Sequence, residues 1–194
     1  MFITFEGLDG SGKTTQARLL TEWLAKDGRE VVATREPGGT PLGERIRDVL
    51  LHGGDLSPWA EAALFAAARA ELVAQVVRPA LERGADVVCD RYLDSSLAYQ
   101  GVARGLGIEQ VLELNMAVVG GLLPDRTFLL LLDPAKAAAR SSRARDRIER
   151  EGEEFHAALD DAYRRLAELF PDRIVALDGS RPPAEIAEQV RAAL

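Results

Sequence analysis

Lysine is nearly missing from this chain: Lys13, Lys26 and Lys136 are the only ones among 24 basic residues, and the rest are arginine. A lysine that survives in such a composition reads as chosen for its chemistry. Cysteine is rarer still, for Cys89 stands alone in the apolar run Val87-Val88-Cys89, which excludes a disulfide framework and suits a small core residue better than a nucleophile. The two histidines, His52 and His156, have neither metal-ligand nor dyad spacing and read as structural. No apolar run approaches the length of a membrane span, so no membrane partner is expected. The first strand also runs straight into a glycine-rich loop, leaving no room for a leader, and a cytoplasmic location is expected. Positive charge is outweighed, at a formal net charge of −7, which disfavours a nucleic-acid backbone as the main partner while leaving small phosphorylated ligands open. No N-K-x-D motif, internal repeat, low-complexity tract or linker interrupts the 194 residues.

That length suits one α/β domain over residues 1–194, and 47% hydrophobic with 28% charged residues is an ordinary globular composition. Short apolar runs near 2–6, 30–35, 86–90, 126–132 and 173–177 alternate with stretches of three-to-four-residue apolar spacing, the pattern of a parallel sheet wound with helices. The first helix is expected from about Gly12 to Lys26, with Leu19, Leu20, Trp23 and Leu24 buried and Gly28 as its stop. Thr40-Pro41 and Ser57-Pro58 read as helix starts. The second opens a long helix toward Arg83, ended by Gly84 and kinked or split near Pro79. Residues 108–120 form another helix. After Asp133 a long Arg/Glu-rich helical region follows, interrupted by the dense segment Arg140 to Arg150.

Residues Gly7, Leu8, Asp9, Gly10, Ser11, Gly12, Lys13 and Thr14 spell G-x-x-x-x-G-K-[ST], with Thr15 following, between an apolar run and an amphipathic one. That context is the one in which backbone N–H groups cradle phosphate, lysine reaches the β- and γ-phosphates, and the hydroxyl of Thr14 holds a phosphate-bound Mg²⁺. A second carboxylate for the metal is sought at a strand end. Asp90, in Cys89-Asp90-Arg91-Tyr92, is the candidate because an arginine suited to phosphate follows it. Asp133 is the rival, but Pro134 follows it and it reads equally well as a helix cap.

The chain resembles the bacterial thymidylate kinases, through FEGLDGSGKTT at its start, TREPGGTPLGERIR at 34–47, LFAAARAEL at 64–72, CDRYLDSSLAYQG at 89–101 and DRIEREGEEFH at 146–156. The resemblance implies a P-loop NTPase fold, a five-stranded parallel sheet with helices on both faces and a short lid about 140–150. It implies transfer of the γ-phosphoryl group of MgATP to the 5′-phosphate of dTMP, with ATP and Mg²⁺ as cofactors and a homodimer as the assembly. By the same resemblance Phe65 stacks on thymine and Arg69 hydrogen-bonds its edge, with Ser96 and Gln100 also at the base. Tyr99 lies against the sugar, Arg91 and Arg47 hold the acceptor phosphate, and Asp9 and Glu36 sit near sugar, phosphate and metal. The resemblance also implies Arg140 over adenine and Arg143 or Arg145 reaching the transferring group from the lid, with Arg147 or Arg140 next in line.

Spacing alone supports part of this. Phe65 and Arg69 are i, i+4 and share a helix face turned away from Leu64, Ala68 and Leu72, although a core phenylalanine and a solvated arginine fit the same spacing. The arginine-rich 140–150 segment, taken alone, is an exposed helix with ion pairs. An acceptor that is already an anionic phosphate needs no strong general base, which agrees with a site rich in arginine and without a poised histidine. The rivals are a kinase for another monophosphate and a nucleotide switch. The first lacks a reason for the 89–101 motif and the second for an acceptor site.

Overall fold

In the computed structural model, which describes residues 1–140 and 146–194, five parallel strands run in the order β2-β3-β1-β4-β5. They are β1 (Phe2–Gly7), β2 (Val31–Arg35), β3 (Asp86–Asp90), β4 (Arg126–Leu131) and β5 (Ile174–Asp178). All five lie where apolar runs predicted them. β1 pairs with β3 on one side (Thr4 beside Cys89) and with β4 on the other (Thr4 beside Thr127). Strand order therefore reverses beside β1, and the crevice that such a reversal opens at the carboxyl ends of the strands is where ligands bind in open α/β sheets.

Alternation along the strands splits the core in two. Ile3, Phe5, Val88, Phe128 and Leu130 face α1 (Lys13–Lys26) and α9 (Pro183–Ala192). Phe2, Val87, Cys89 and Leu129 face the larger layer. That layer is built by α2 (Pro41–His52), α3 (Pro58–Leu72), α5 (Leu93–Ser96), α6 (Ile108–Val119), α7 (Pro134–Arg140) and α8 (Glu153–Leu169). Helices thus cover both faces, as the resemblance implies. Among the described residues no helix is long and apolar enough to cross a membrane.

The helix boundaries follow local chemistry. Thr40 Oγ accepts from Gly43 N at 2.9 Å and Ser57 Oγ from Ala60 N at 3.4 Å, so both predicted starts are true N-caps. Gly28, at φ 80°, closes α1: its N–H reaches Ala25 O and Arg29 N–H reaches Leu24 O, the paired bonds of a left-handed helix stop. Ahead of Pro79 the long helix widens into a π-type turn over Val73–Val77 and resumes as the short α4 (Arg78–Glu82). The turn closes with Arg78 N–H on Val73 O, so the proline, which has no N–H to give, falls just beyond it. Two expectations for α1 need correction. Trp23 is exposed and Leu19 only half-buried, because Gln16, Ala17, Leu20 and Leu24 already fill the stripe against the sheet and α9.

Candidate active site

The loop after β1 can take its shape only with glycine at two tight points. A Cβ on Gly7 (φ 133°) would stand 2.4 Å from Leu130 O, and one on Gly10 (φ 84°) 2.3 Å from Ala137 O. Either would push the loop off β4 or α7. Gly12 is a left-handed N-cap that offers α1 no side-chain cap, so the first-turn amides remain for an anion. Ser11 Oγ is sealed from solvent and has no hydrogen-bond partner among the described residues, a costly state that a phosphate oxygen would relieve. Leu8 turns its side chain into the core and its carbonyl toward Lys13, whose Nζ donates to it at 2.8 Å. Burial, with Arg91 nearby, pushes the Lys13 pKa down, and Asp9 and Asp90 oppose that shift. Thr15 is half-buried one position further along the first turn.

Beside this loop, Thr14 Oγ donates to Asp90 Oδ2 at 2.5 Å. This hydroxyl and carboxylate meet at the crevice as a pair of hard oxygen donors. Among the described residues no group of three or more His, Cys, Asp or Glu could hold a metal. Such a site suits Mg²⁺ better than a cation that needs an all-protein cage, because Mg²⁺ keeps its waters and takes one or two protein oxygens besides the phosphates. Asp133 instead caps α7, its Oδ1 accepting from Ala135 N and Lys136 N at 3.1 Å each. Asp133 thus serves as the helix cap that the sequence offered for it.

Arg91 holds a left-handed backbone, φ 72°, just past β3. Its Nη2 donates to Asp9 Oδ1 at 2.7 Å, and its Nη1 to Ser95 Oγ at 3.0 Å and Tyr163 OH at 3.2 Å. The guanidinium lies 5.5 Å from the Tyr99 ring centroid. Burial works against the ionised form of Asp9, but Arg91 and Lys13 outweigh it and hold that carboxyl well below the usual range. Behind Arg91 stands Glu6, fully buried. Its Oε1 accepts from Tyr92 N (2.8 Å) and Ser95 N (3.2 Å), its Oε2 from Ser95 Oγ (2.6 Å) and Tyr163 OH (3.3 Å). Burial first, and Asp94 second, push its pKa up to about 7. Sequence reasoning passed over Glu6 and Tyr163. The signal for Glu6 was present, since Phe2, Thr4 and Glu6 alternate onto one face of β1 and a carboxylate there must be buried.

The wall of the crevice comes from α3 and the stretch after β3. Phe65 is half-buried and packs against the larger core. Arg69, one turn on, is the largest fully buried side chain among the described residues. Its Nε donates to Glu36 Oε2 at 2.8 Å and its Nη2 to Tyr92 O at 3.1 Å, with Nη2 also in ion-pair contact with Glu36 Oε2 at 2.6 Å. Its Nη1 donates to Ser96 Oγ at 3.1 Å and to Asn115 Oδ1. The solvated surface arginine that spacing allowed is therefore excluded. Glu36 Oε1 is sealed without a partner among the described residues, and burial raises the Glu36 pKa against the pull of Arg69. Arg47, from α2, donates to Pro37 O at 2.9 Å. Gln100 Nε2 donates at 2.9 Å to Glu61, a buried carboxylate that sequence reasoning did not single out.

At the base of the arginine-rich segment, Arg140 Nη1 donates to Gly179 O at 2.9 Å, bridging α7 to the turn after β5. Arg147 donates to Leu50 O at 2.9 Å and Glu61 Oε2 at 2.7 Å. Arg143 and Arg145 lie outside the described residues.

A phosphate loop, a hydroxyl–carboxylate pair beside it and Arg91 at the strand reversal fit a P-loop phosphotransferase. A family model for thymidylate kinase matches residues 5–190. The chain is 56% identical to a thymidylate kinase of Leifsonia xyli, covering 100% of this chain and 94% of that protein. It is 52% identical to one of Pelotomaculum thermopropionicum, over 93% of this chain and 86% of that protein. The crystal structure of thymidylate kinase from Ehrlichia chaffeensis superposes with a TM-score of 0.83 at 34% identity, covering 100% of this chain and 97% of that one. The chain belongs to the thymidylate kinase family, whose reaction is the phosphorylation of dTMP by ATP.

Proposed function

We propose that the residues gathered at the crevice divide the family's reaction as follows. The amides of the phosphate loop, Ser11 Oγ and Lys13 hold the ATP phosphates. Thr14 and Asp90 hold Mg²⁺, which when bound neutralises charge on the β- and γ-phosphates. Arg91, with Arg47, holds the acceptor phosphate of dTMP, and Asp9 keeps Arg91 aimed at the loop. Phe65 stacks on thymine, Tyr99 lies against the sugar, and Arg69, Ser96 and Gln100 form the wall at the base edge, with Glu36 beside them. Arg140 lies against adenine, and Arg143 or Arg145 neutralises the transferring group from the lid. No residue needs to remove a proton, because the nucleophile is already an anionic oxygen. Positioning and charge neutralisation carry the rate.

One observation supports this division most directly. The Arg91–Asp9–Lys13 contacts join the donor loop to the acceptor arginine within hydrogen-bond and ion-pair range, at 2.7 Å and 3.6 Å. Donor and acceptor phosphates bound there would face each other. The metal assignment is tested with Asp90→Asn, which keeps the shape and the acceptor for Thr14 but removes the charge. Half-maximal activation by Mg²⁺ is expected to need about tenfold more metal or beyond. An unchanged Mg²⁺ dependence would remove Asp90 from the metal site.

The homodimer is supported by the outer faces of α2 and α3, where Leu42, Val49 and Trp59 stand exposed together with Ala63 and Ala67. A solution mass equal to a single 21.0 kDa chain would contradict it. A reaction that draws on ATP, in a chain whose one cysteine is free and buried, suits the cytoplasm.

A further inference from the structure

Glu61 lies on α3 one turn before Phe65 and is wholly buried. Four N–H groups converge on its carboxylate. Oε1 accepts from Gln100 Nε2 at 2.9 Å and Arg104 Nε at 3.3 Å, and Oε2 from Arg147 Nη2 at 2.7 Å and Arg104 Nη2 at 3.2 Å. Burial works against its charge, but the hydrogen bonds from Gln100, Arg147 and Arg104 outweigh burial and hold its pKa below the ordinary value. It is therefore an ionised, acceptor-only group.

That property constrains Gln100. A glutamine amide has a donor end and an acceptor end of nearly the same shape, and its surroundings choose which way it points. An ionised carboxylate can face only the NH₂ end. The carbonyl Oε1 must then point away from Glu61. Among the described residues no hydrogen bond reaches that oxygen, although Gln100 is only 1% exposed. Ser96, four residues earlier, touches Arg69 from the same stretch.

We propose that Glu61 is a positioning residue for base selection: by fixing the amide of Gln100 with its carbonyl outward, it makes the crevice offer an acceptor to the ring N3–H of thymine. Cytosine presents a lone pair at the same ring position, so the two acceptors repel and dCMP is rejected. Arg104 and Arg147 pin the carboxylate, and each keeps another partner, Glu151 for Arg104 at 2.6 Å and Leu50 O for Arg147. The proposal rests on the reading that Gln100 meets the base.

Glu61→Gln tests it, because an amide at 61 can present its own NH₂ and let Gln100 turn over. With MgATP fixed, kcat/KM is measured for dTMP and dCMP in the unaltered enzyme, in Glu61→Gln and in Gln100→Leu. The expected result is a fall of about tenfold or more in the dTMP-to-dCMP ratio for both variants, seen mainly in KM, with the KM for MgATP unchanged. If Gln100→Leu lowers the ratio but Glu61→Gln lowers both substrates in proportion, or neither, Glu61 only supports the fold and the proposal falls while Gln100 stays at the base. If Gln100→Leu leaves the ratio unchanged, the placement of Gln100 at the base fails and takes the proposal with it. Should Glu61→Gln not fold, the side-chain amide resonances of Gln100 in the unaltered protein decide. Protons that stay protected from solvent exchange when dTMP binds support the fixed orientation, and loss of protection on binding overturns it.

Discussion

Arg69 donates hydrogen bonds inside the protein to Glu36, Ser96, Asn115 and Tyr92 O and ion-pairs with Glu36 through Nη2 as well, so a thymine carbonyl would compete with these partners for its donors. This changes what a truncation there would report. Arg69→Ala leaves Glu36 buried and uncompensated, a loss of about 3–5 kcal/mol, and its effect on dTMP use would be mixed with a loss of stability. Glu6 gives a cleaner test. In the folded protein it keeps its proton to about pH 7, and in the unfolded chain it loses it near 4.5. Between these values the unfolded state binds fewer protons, so this group makes stability fall as pH rises, and its penalty is complete above 7. Glu6→Gln fits the same bonds, its Oε1 accepting from Tyr92 and Ser95 N–H and its NH₂ donating to the hydroxyls of Ser95 and Tyr163. Urea unfolding followed from about pH 5 to about pH 8 should show the variant gaining on the unaltered protein as pH rises. Parallel pH profiles would mean that Glu6 carries no such penalty.

At the scale of elements, what was legible in the sequence was what neighbouring residues decide. The five strands, the caps at Thr40 and Ser57, the stop at Gly28 and the phosphate loop each depend on a few consecutive side chains. The partners of Glu61, Glu6 and Arg69 were not legible, because they arrive from 86, 157 and 46 positions away in Arg147, Tyr163 and Asn115. Trp23 failed for a related reason: periodicity draws a stripe wider than the sheet and α9 can cover. Gly28 offers a test of an element alone. Nothing lies within 4 Å of where its Cβ would be, so Gly28→Ala meets only the backbone cost of φ 80°. That cost is about 1 kcal/mol, or roughly 2–4 °C in Tm for a chain of this size. Asparagine there should lose less. Because Gly28 follows the far end of α1 from the phosphate loop, kcat should not move, and thermal melts with parallel assays check both halves. A drop in kcat would mean that the loop feels the end of α1.

For the whole molecule, the order β2-β3-β1-β4-β5 brings the ends of β1 and β3 side by side. Lys13 and Thr14 from one connection thus meet Asp90 and Arg91 from another, 76 positions apart in the case of Thr14 and Asp90. The arginine-rich composition fits that outcome, since two phosphates must be neutralised without a general base. The most direct measurement is ADP formation with MgATP and, in turn, dTMP, dUMP, dCMP and dGMP as the acceptor. ADP should form in step with the acceptor consumed, and kcat/KM should be highest for dTMP. ADP formation that ignores the acceptor, or a higher kcat/KM with another of the four, would contradict the assignment of this crevice to thymidylate.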